Sequence, residues 1–151
     1  MLHCSSSRNL CIKLINKSPG YWKPQGLWYS PIQSSGYSAW QEWCRDNYYT
    51  GNYEYLVEEI PGDDLLLINS EEGVEELWND YSVSTMIDWN RVSEKYIGVE
   101  FSNYKTLKSI YKKYCQPRHE KFNQALLILS LDCDSGCIWD VSNITLKPRF
   151  E

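Results

Sequence analysis

Three short segments, far apart along the chain, carry residue types suited to gripping a small polar ligand. They are Leu2-His3-Cys4-Ser5-Ser6 at the start, Lys23-Pro24-Gln25-Gly26-Leu27-Trp28-Tyr29-Ser30 after it, and Ser135-Gly136-Cys137-Ile138-Trp139-Asp140 near the end. In the second, Gly26 either lets backbone come close to a ligand or makes a turn. An extended chain beyond it sends Tyr29 to one face and Trp28 and Ser30 to the other. A flat heteroaromatic ring could stack on an aromatic there while Ser30 hydrogen-bonds beside it; a core strand with a polar end has the same composition. His3 could bond a ribose hydroxyl, although a lone histidine near a chain end is more often structural. Asp132, Asp134 and Asp140 bracket Ser135 and Gly136. Carboxylates beside a buried strand are costly unless paired or ligand-facing, and Asp134-Ser135-Gly136 is equally good turn chemistry. Both readings stay open.

Other chemistries find no support in spacing. Neither Cys4 nor Cys133 has a histidine placed to make it a nucleophile. No Gly-rich phosphate loop, Gly-x-Ser-x-Gly elbow or His-Glu-x-x-His helix occurs. Cys133-x3-Cys137 lacks a second close pair and His3 and His119 are isolated, so no metal site is expected.

These residues need elements to hold them. Leu2-His3-Cys4 reads as a short strand, Asn9 to Ile15 as a short helix, and Gly26 to Ser30 as a second strand stopped by Pro31. Ser38 to Asp46 is predicted helical, with Trp40, Trp43 and Cys44 on one stripe. Tyr53 to Glu59 alternates as a strand, and the apolar run Leu65 to Ile68 reads as a buried one. Ser70 caps a helix reaching Tyr81, with Glu71 and Glu72 at its positive end. A helix over Asp88 to Tyr96, a strand over Ile97 to Phe101 and a helix beginning at Lys105 follow. Ala125 to Leu131 is the strongest predicted strand, and Cys137 to Val141 the last. Strands dominate both ends, which favours an α+β fold over a doubly wound sheet.

A chain of 151 residues fits one domain, 1–151, with one sizeable core. Seven Trp and twelve Tyr supply large rings for that core, or for an aromatic-lined pocket or contact surface. The net charge of −5 argues against broad, nonspecific nucleic-acid binding. It leaves room for a local basic groove. Lys105, Lys108, Lys112, Lys113, Arg118 and Lys121 share their segment with one acid, Glu120. That segment is a solvated helix face or a docking site for a phosphate-bearing or acidic partner. No secretory signal follows Met1 and no apolar run approaches membrane-spanning length, so a cytoplasmic location, no membrane partner and reduced thiols are expected.

In their joint order the three segments resemble ADP-ribosyltransferases of the poly-ADP-ribose polymerase and diphtheria-toxin type. Leu2-His3-Cys4-Ser5 is similar to that family's first-strand motif. Gly26-Leu27-Trp28-Tyr29-Ser30 resembles its second core strand, and Ser135 to Asp140 with Ile144 and Lys147-Pro148-Arg149-Phe150 resembles its closing strand and exit. The resemblance implies a split, bent α+β sheet with NAD, used as substrate, in a cleft between two half-sheets. His3 and Ser5 would lie on the adenosine-ribose side, and Gly26, Trp28, Tyr29 and Ser30 along the nucleotide, with Tyr29 stacked on nicotinamide. The family places Glu on the closing strand; the nearest carboxylate here is Asp134, beside Ser135. The implied activity is mono-ADP-ribosyl transfer, with a protein among the candidate acceptors, or NAD cleavage. The alternative is an inactive module on the same scaffold that sequesters a nucleotide, or a protein partner through a Trp-rich surface.

Overall fold

Backbone hydrogen bonds tie the beginning of the chain to its end. The computed structural model describes residues 1–5, 23–48, 53–58 and 64–149. Strands β1 (Leu2–Ser5), β3 (Tyr53–Glu58) and β9 (Thr145–Pro148) form an antiparallel sheet in the order β1-β3-β9. A second sheet has the order β2-β8-β7-β4, from β2 (Leu27–Tyr29), β8 (Ser135–Ile138), β7 (Gly98–Phe101) and β4 (Leu65–Ile68). All its pairs are antiparallel except β4 with β7. Leu2 and Ser30 join the two sheets by exchanging both backbone hydrogen bonds, at 2.9 and 2.8 Å. The fold is α+β in several small sheets, the two larger ones meeting at that bridge.

Local chemistry sets the helices. α1 (Ala39–Asp46) starts at Ser38, whose hydroxyl accepts from Gln41 N–H while the Gln41 side chain accepts from Ser38 N–H. This capping box satisfies two donors the helix cannot. Ser70 caps α2 (Glu71–Tyr81) by accepting from Gly73 N–H. A two-stranded ribbon, β5 (Ser82–Val83) with β6 (Met86–Ile87), leads to α3 (Trp89–Ser93), where Asp88 accepts from Asn90 and Arg91 N–H. α4 (Tyr104–Tyr114) and α5 (Phe122–Leu129) follow.

The largest core lies between these helices and one face of the four-stranded sheet. Val99, Phe101 and Cys137 of the sheet meet Val74, Leu77, Leu107, Ile110, Ala125 and Ile128. A smaller core fills the space between the two half-sheets: Leu27, Tyr29 and Ile138 from one, Val57 from the other, with Val141 and Ile144.

Several expectations are corrected. The predicted strand Ala125 to Leu131 is helix through Leu129. Its run is apolar at nearly every position, so periodicity does not separate the two states. In the fold Ala125, Leu127 and Ile128 are buried beside α4 and α2, while Leu129 points outward at 55% exposure. β4 is a strand, but it ends its sheet and leaves Leu67 53% exposed, so it is not buried. The last strand is β9, not the segment ending at Val141, and α3 stops at Ser93, short of Tyr96. The predicted helix over Asn9 to Ile15 falls outside the described residues. No helix among the described residues is long and apolar enough to cross a membrane.

Candidate functional site at the joint of the two half-sheets

Beyond the Leu2–Ser30 bridge, β1 and β2 exchange no further backbone hydrogen bonds among the described residues. His3 is the next residue of β1. Its half-buried ring donates from Nδ1 to the carbonyl of Trp28 at 2.5 Å. Donation from Nδ1 fixes the neutral tautomer and leaves a lone pair on Nε2. Burial pushes the imidazole below its ordinary value, only partly opposed by the bond to Trp28. Among the described residues no group bonds Nε2.

Register sets which side chains look from one sheet toward the other. His3 pairs with Tyr55, so His3, Tyr55 and Val57 share one face of the three-stranded sheet. On the other half-sheet Tyr29 pairs with Gly136, and Gly136 with Glu100, which puts Tyr29 and Glu100 on one face with a glycine between them. Val57 and Tyr29 belong to the same small core, so the two faces are turned toward each other. Gly136 has a reason to be glycine. A Cβ there would lie 2.2 Å from Tyr29 Cζ and 2.4 Å from its hydroxyl oxygen. The phenol ring therefore lies flat across β8, and its hydroxyl donates to Glu100 Oε2 at 2.8 Å. Burial, then the neighbouring Glu100 carboxylate, push the Tyr29 phenol far above its usual value. At 3% exposure this ring presents no open face for stacking; its role is to hold a carboxylate.

Glu100 is the functional candidate the sequence reading missed. A charged residue inside an otherwise apolar strand, Gly98-Val99-Glu100-Phe101, was the available signal, because a half-buried carboxylate needs a partner or a task.

The remaining predicted residues are placed as follows. Ser30, 1% exposed, donates to the Asp134 carbonyl at 2.8 Å and accepts from Trp40 N–H at 3.1 Å. The Asp134 carboxylate accepts from Tyr104 N–H at 2.6 Å and so holds the start of α4. Ser135 donates to the Cys133 carbonyl, and Ser5 ends β1 opposite Tyr53. Gly26 sits where β2 meets β8. A Cβ there would lie 2.3 Å from the Ile138 carbonyl oxygen, so it lets β2 and β8 come together. Trp28 turns to the opposite face, packs on the larger core and lies under Lys23 Nζ. Asp140 accepts from Ser142 N–H, which is turn chemistry. The three segments do converge, but Tyr29 with Glu100 faces one side of the sheet and Ser30 with Asp134 ties its end to α1 and α4.

Burial raises the thiols of Cys4, to about 11, and Cys133, to about 12, so neither is an activated nucleophile. Among the described residues no group of His, Cys, Asp and Glu is gathered to hold a metal ion. The Trp-rich contact surface is not seen there either: Trp89 and Trp139 are buried and Trp28, Trp40, Trp43 and Trp78 half-buried. Comparison of the chain with protein-family models, with curated proteins and with solved structures finds no match.

Proposed function

We propose that the chain binds NAD or a related nucleotide between its half-sheets and cleaves it as an ADP-ribosyltransferase-like enzyme. The observation that carries this reading is a pair of groups on the two facing sheets: a neutral His3 whose Nε2 lone pair no described residue bonds, and a carboxylate, Glu100, held by Tyr29. His3 Nε2 accepts from a ribose hydroxyl. The Glu100 carboxylate is half-buried, where a charge acts more strongly than in water. NAD, when bound, supplies the N-glycosidic bond whose cleavage builds positive charge on the ribose. A preorganised carboxylate stabilises charge of that sign without reorganising. Tyr29 fixes the carboxylate's position, which is the second requirement for such chemistry. Asp134, already engaged with α4, is assigned to architecture, and Glu100 takes the carboxylate role.

The test combines thermal unfolding with nicotinamide release at about 1 mM NAD, the upper end of ordinary substrate constants. A ligand specific to the folded state raises Tm. The expected results are a Tm rise, nicotinamide release abolished by Glu100→Gln with the Tm rise retained, and loss of the Tm rise in His3→Ala. No Tm shift and no nicotinamide would remove the reading.

The second reading, a module that sequesters a nucleotide without turnover, is favoured by one observation: Ser30 and one carboxylate oxygen of Asp134 are engaged in structural bonds. A Tm rise with no nicotinamide, indifferent to Glu100→Gln, selects it.

A further inference from the structure

Helix α4 carries a charge pattern that stability explains only in its last turn, where the dipole favours Lys112 and Lys113. Between Phe101 and His119 there are five basic residues, Lys105, Lys108, Lys112, Lys113 and Arg118, and no acidic one, in a chain whose net charge is −5. Leu107, Ile110 and Tyr114 bury the inner face of α4, which leaves Lys105, Lys108 and Lys112 exposed along the outer one. Lys113 is accounted for: it pairs with Glu71 at 3.2 Å, and Lys121 with Glu75. Among the described residues no carboxylate pairs with Lys105, Lys108 or Lys112.

Two features of this stripe oppose helix stability. Lys105 lies in the first turn, where the helix dipole disfavours a cation. Lys105 with Lys108, and Lys108 with Lys112, are like charges at i,i+3 and i,i+4, which repel. Local choices that work against the fold mark sites under another constraint.

The spacing indicates what would relieve them. At about 1.5 Å per residue, Lys105 to Lys112 spans about 10 Å, which puts three cations within reach of neighbouring phosphates of one nucleic-acid strand. Aromatic rings stand among the lysines. Tyr104 and Tyr111 are half-buried one heptad apart, and Lys108 Nζ lies 5.5 Å from the Tyr104 ring centre. A lysine track interleaved with rings is how single strands are held, backbone on the charges and bases on the rings. The track begins at the joint described above, because Tyr104 N–H is bound by Asp134, whose carbonyl is bound by Ser30.

We propose that the outer face of α4 is a docking track for a single strand of nucleic acid, engaged through Lys105, Lys108 and Lys112 with Tyr104 and Tyr111 beside them. This goes beyond the nucleotide reading and does not depend on it.

The experiment is fluorescence anisotropy with a short labelled single-stranded oligonucleotide and no NAD. Three phosphate contacts on a single strand predict a slope of about −2 in log K against log salt, a loss of roughly 20-fold between about 50 and 200 mM. The triple variant Lys105→Glu, Lys108→Glu, Lys112→Glu should weaken binding about tenfold or more while circular dichroism and Tm show α4 intact. Lys113→Gln, which removes a lysine already paired with Glu71, should leave binding unchanged. Absence of binding at about 50 mM salt overturns the proposal. So does equal binding by the triple variant, or by a duplex or an acidic peptide as tightly as by the single strand.

Discussion

Replacing Gly136 by alanine tests the arrangement that holds Glu100. The backbone of Gly136 is ordinary strand, so the substitution introduces no conformational strain; everything depends on where the new methyl goes. It would meet three atoms of Tyr29, Cζ at 2.2 Å, the hydroxyl oxygen at 2.4 Å and Cε1 at 2.6 Å, far inside van der Waals contact. A flexible side chain on the surface would swing away. Tyr29 cannot, being a rigid ring at 3% exposure, enclosed with Leu27, Val57 and Ile138. Overpacking a filled core costs about 1–3 kcal/mol. Moving the ring also breaks the hydroxyl bond to a carboxylate, a class worth about 1.5–3 kcal/mol. The sum, about 2.5–6 kcal/mol, is a large part of the roughly 5–15 kcal/mol that keeps a domain folded. At about 2–4 °C per kcal/mol for a chain of this size, Tm should fall by about 5–24 °C. Thermal and urea unfolding measure it. A double-mutant cycle with Tyr29→Leu, which removes the three clashing atoms, should recover part of the loss, with a coupling of about 0.5–3 kcal/mol. A Gly136→Ala protein within about 0.5 kcal/mol of the parent, the ordinary range for surface changes, or strictly additive losses, would refute this account of the Tyr29–Glu100 pair.

Ser38→Ala removes a fully buried cap and, of the capping box on α1, the bond that Ser38 Oγ accepts from Gln41 N–H, while the bond its backbone N–H donates to Gln41 stays possible; a loss of about 1–2 kcal/mol in urea unfolding is expected. Because burial lowers the His3 value, the unfolded chain binds the proton more readily. In the window between the folded value and the ordinary one near 6.5, stability therefore rises with pH. The His3 contribution is complete above that window and lost as pH falls through it, so the Tm difference between parent and His3→Gln should change across that window and be constant above it.

How much of this was legible in the sequence depended on whether a local rule had a competitor. Ser38 and Ser70 were readable as helix starts because a cap acts within one turn, and both helices begin where those residues stand. Tyr53 to Glu58 alternates and is a strand. Leu27 to Tyr29 is likewise a strand, bounded by Gly26 and Pro31. Ala125 to Leu131 misled because an apolar run fits a buried strand and a buried helix equally well; the helical outcome comes from its place beside α4 and α2. β9 was missed as a strand because Lys147 and Pro148 suit no central strand. An edge strand tolerates a proline, and among the described residues β9 pairs with β3 alone.

The candidate site divides along the same line. Residue types and chain order were enough to nominate His3, Tyr29, Ser30 and Asp134, since hydrogen-bonding capacity belongs to each side chain wherever it lies. Which of them face a common space is a property of register, and register is set between strands distant in sequence. Pairing β2 with β8 and β8 with β7 brought Glu100 to Tyr29 over Gly136 and turned Asp134 toward the first turn of α4. A one-residue shift in either pairing would have reversed the faces, and nothing within any single segment specifies against it.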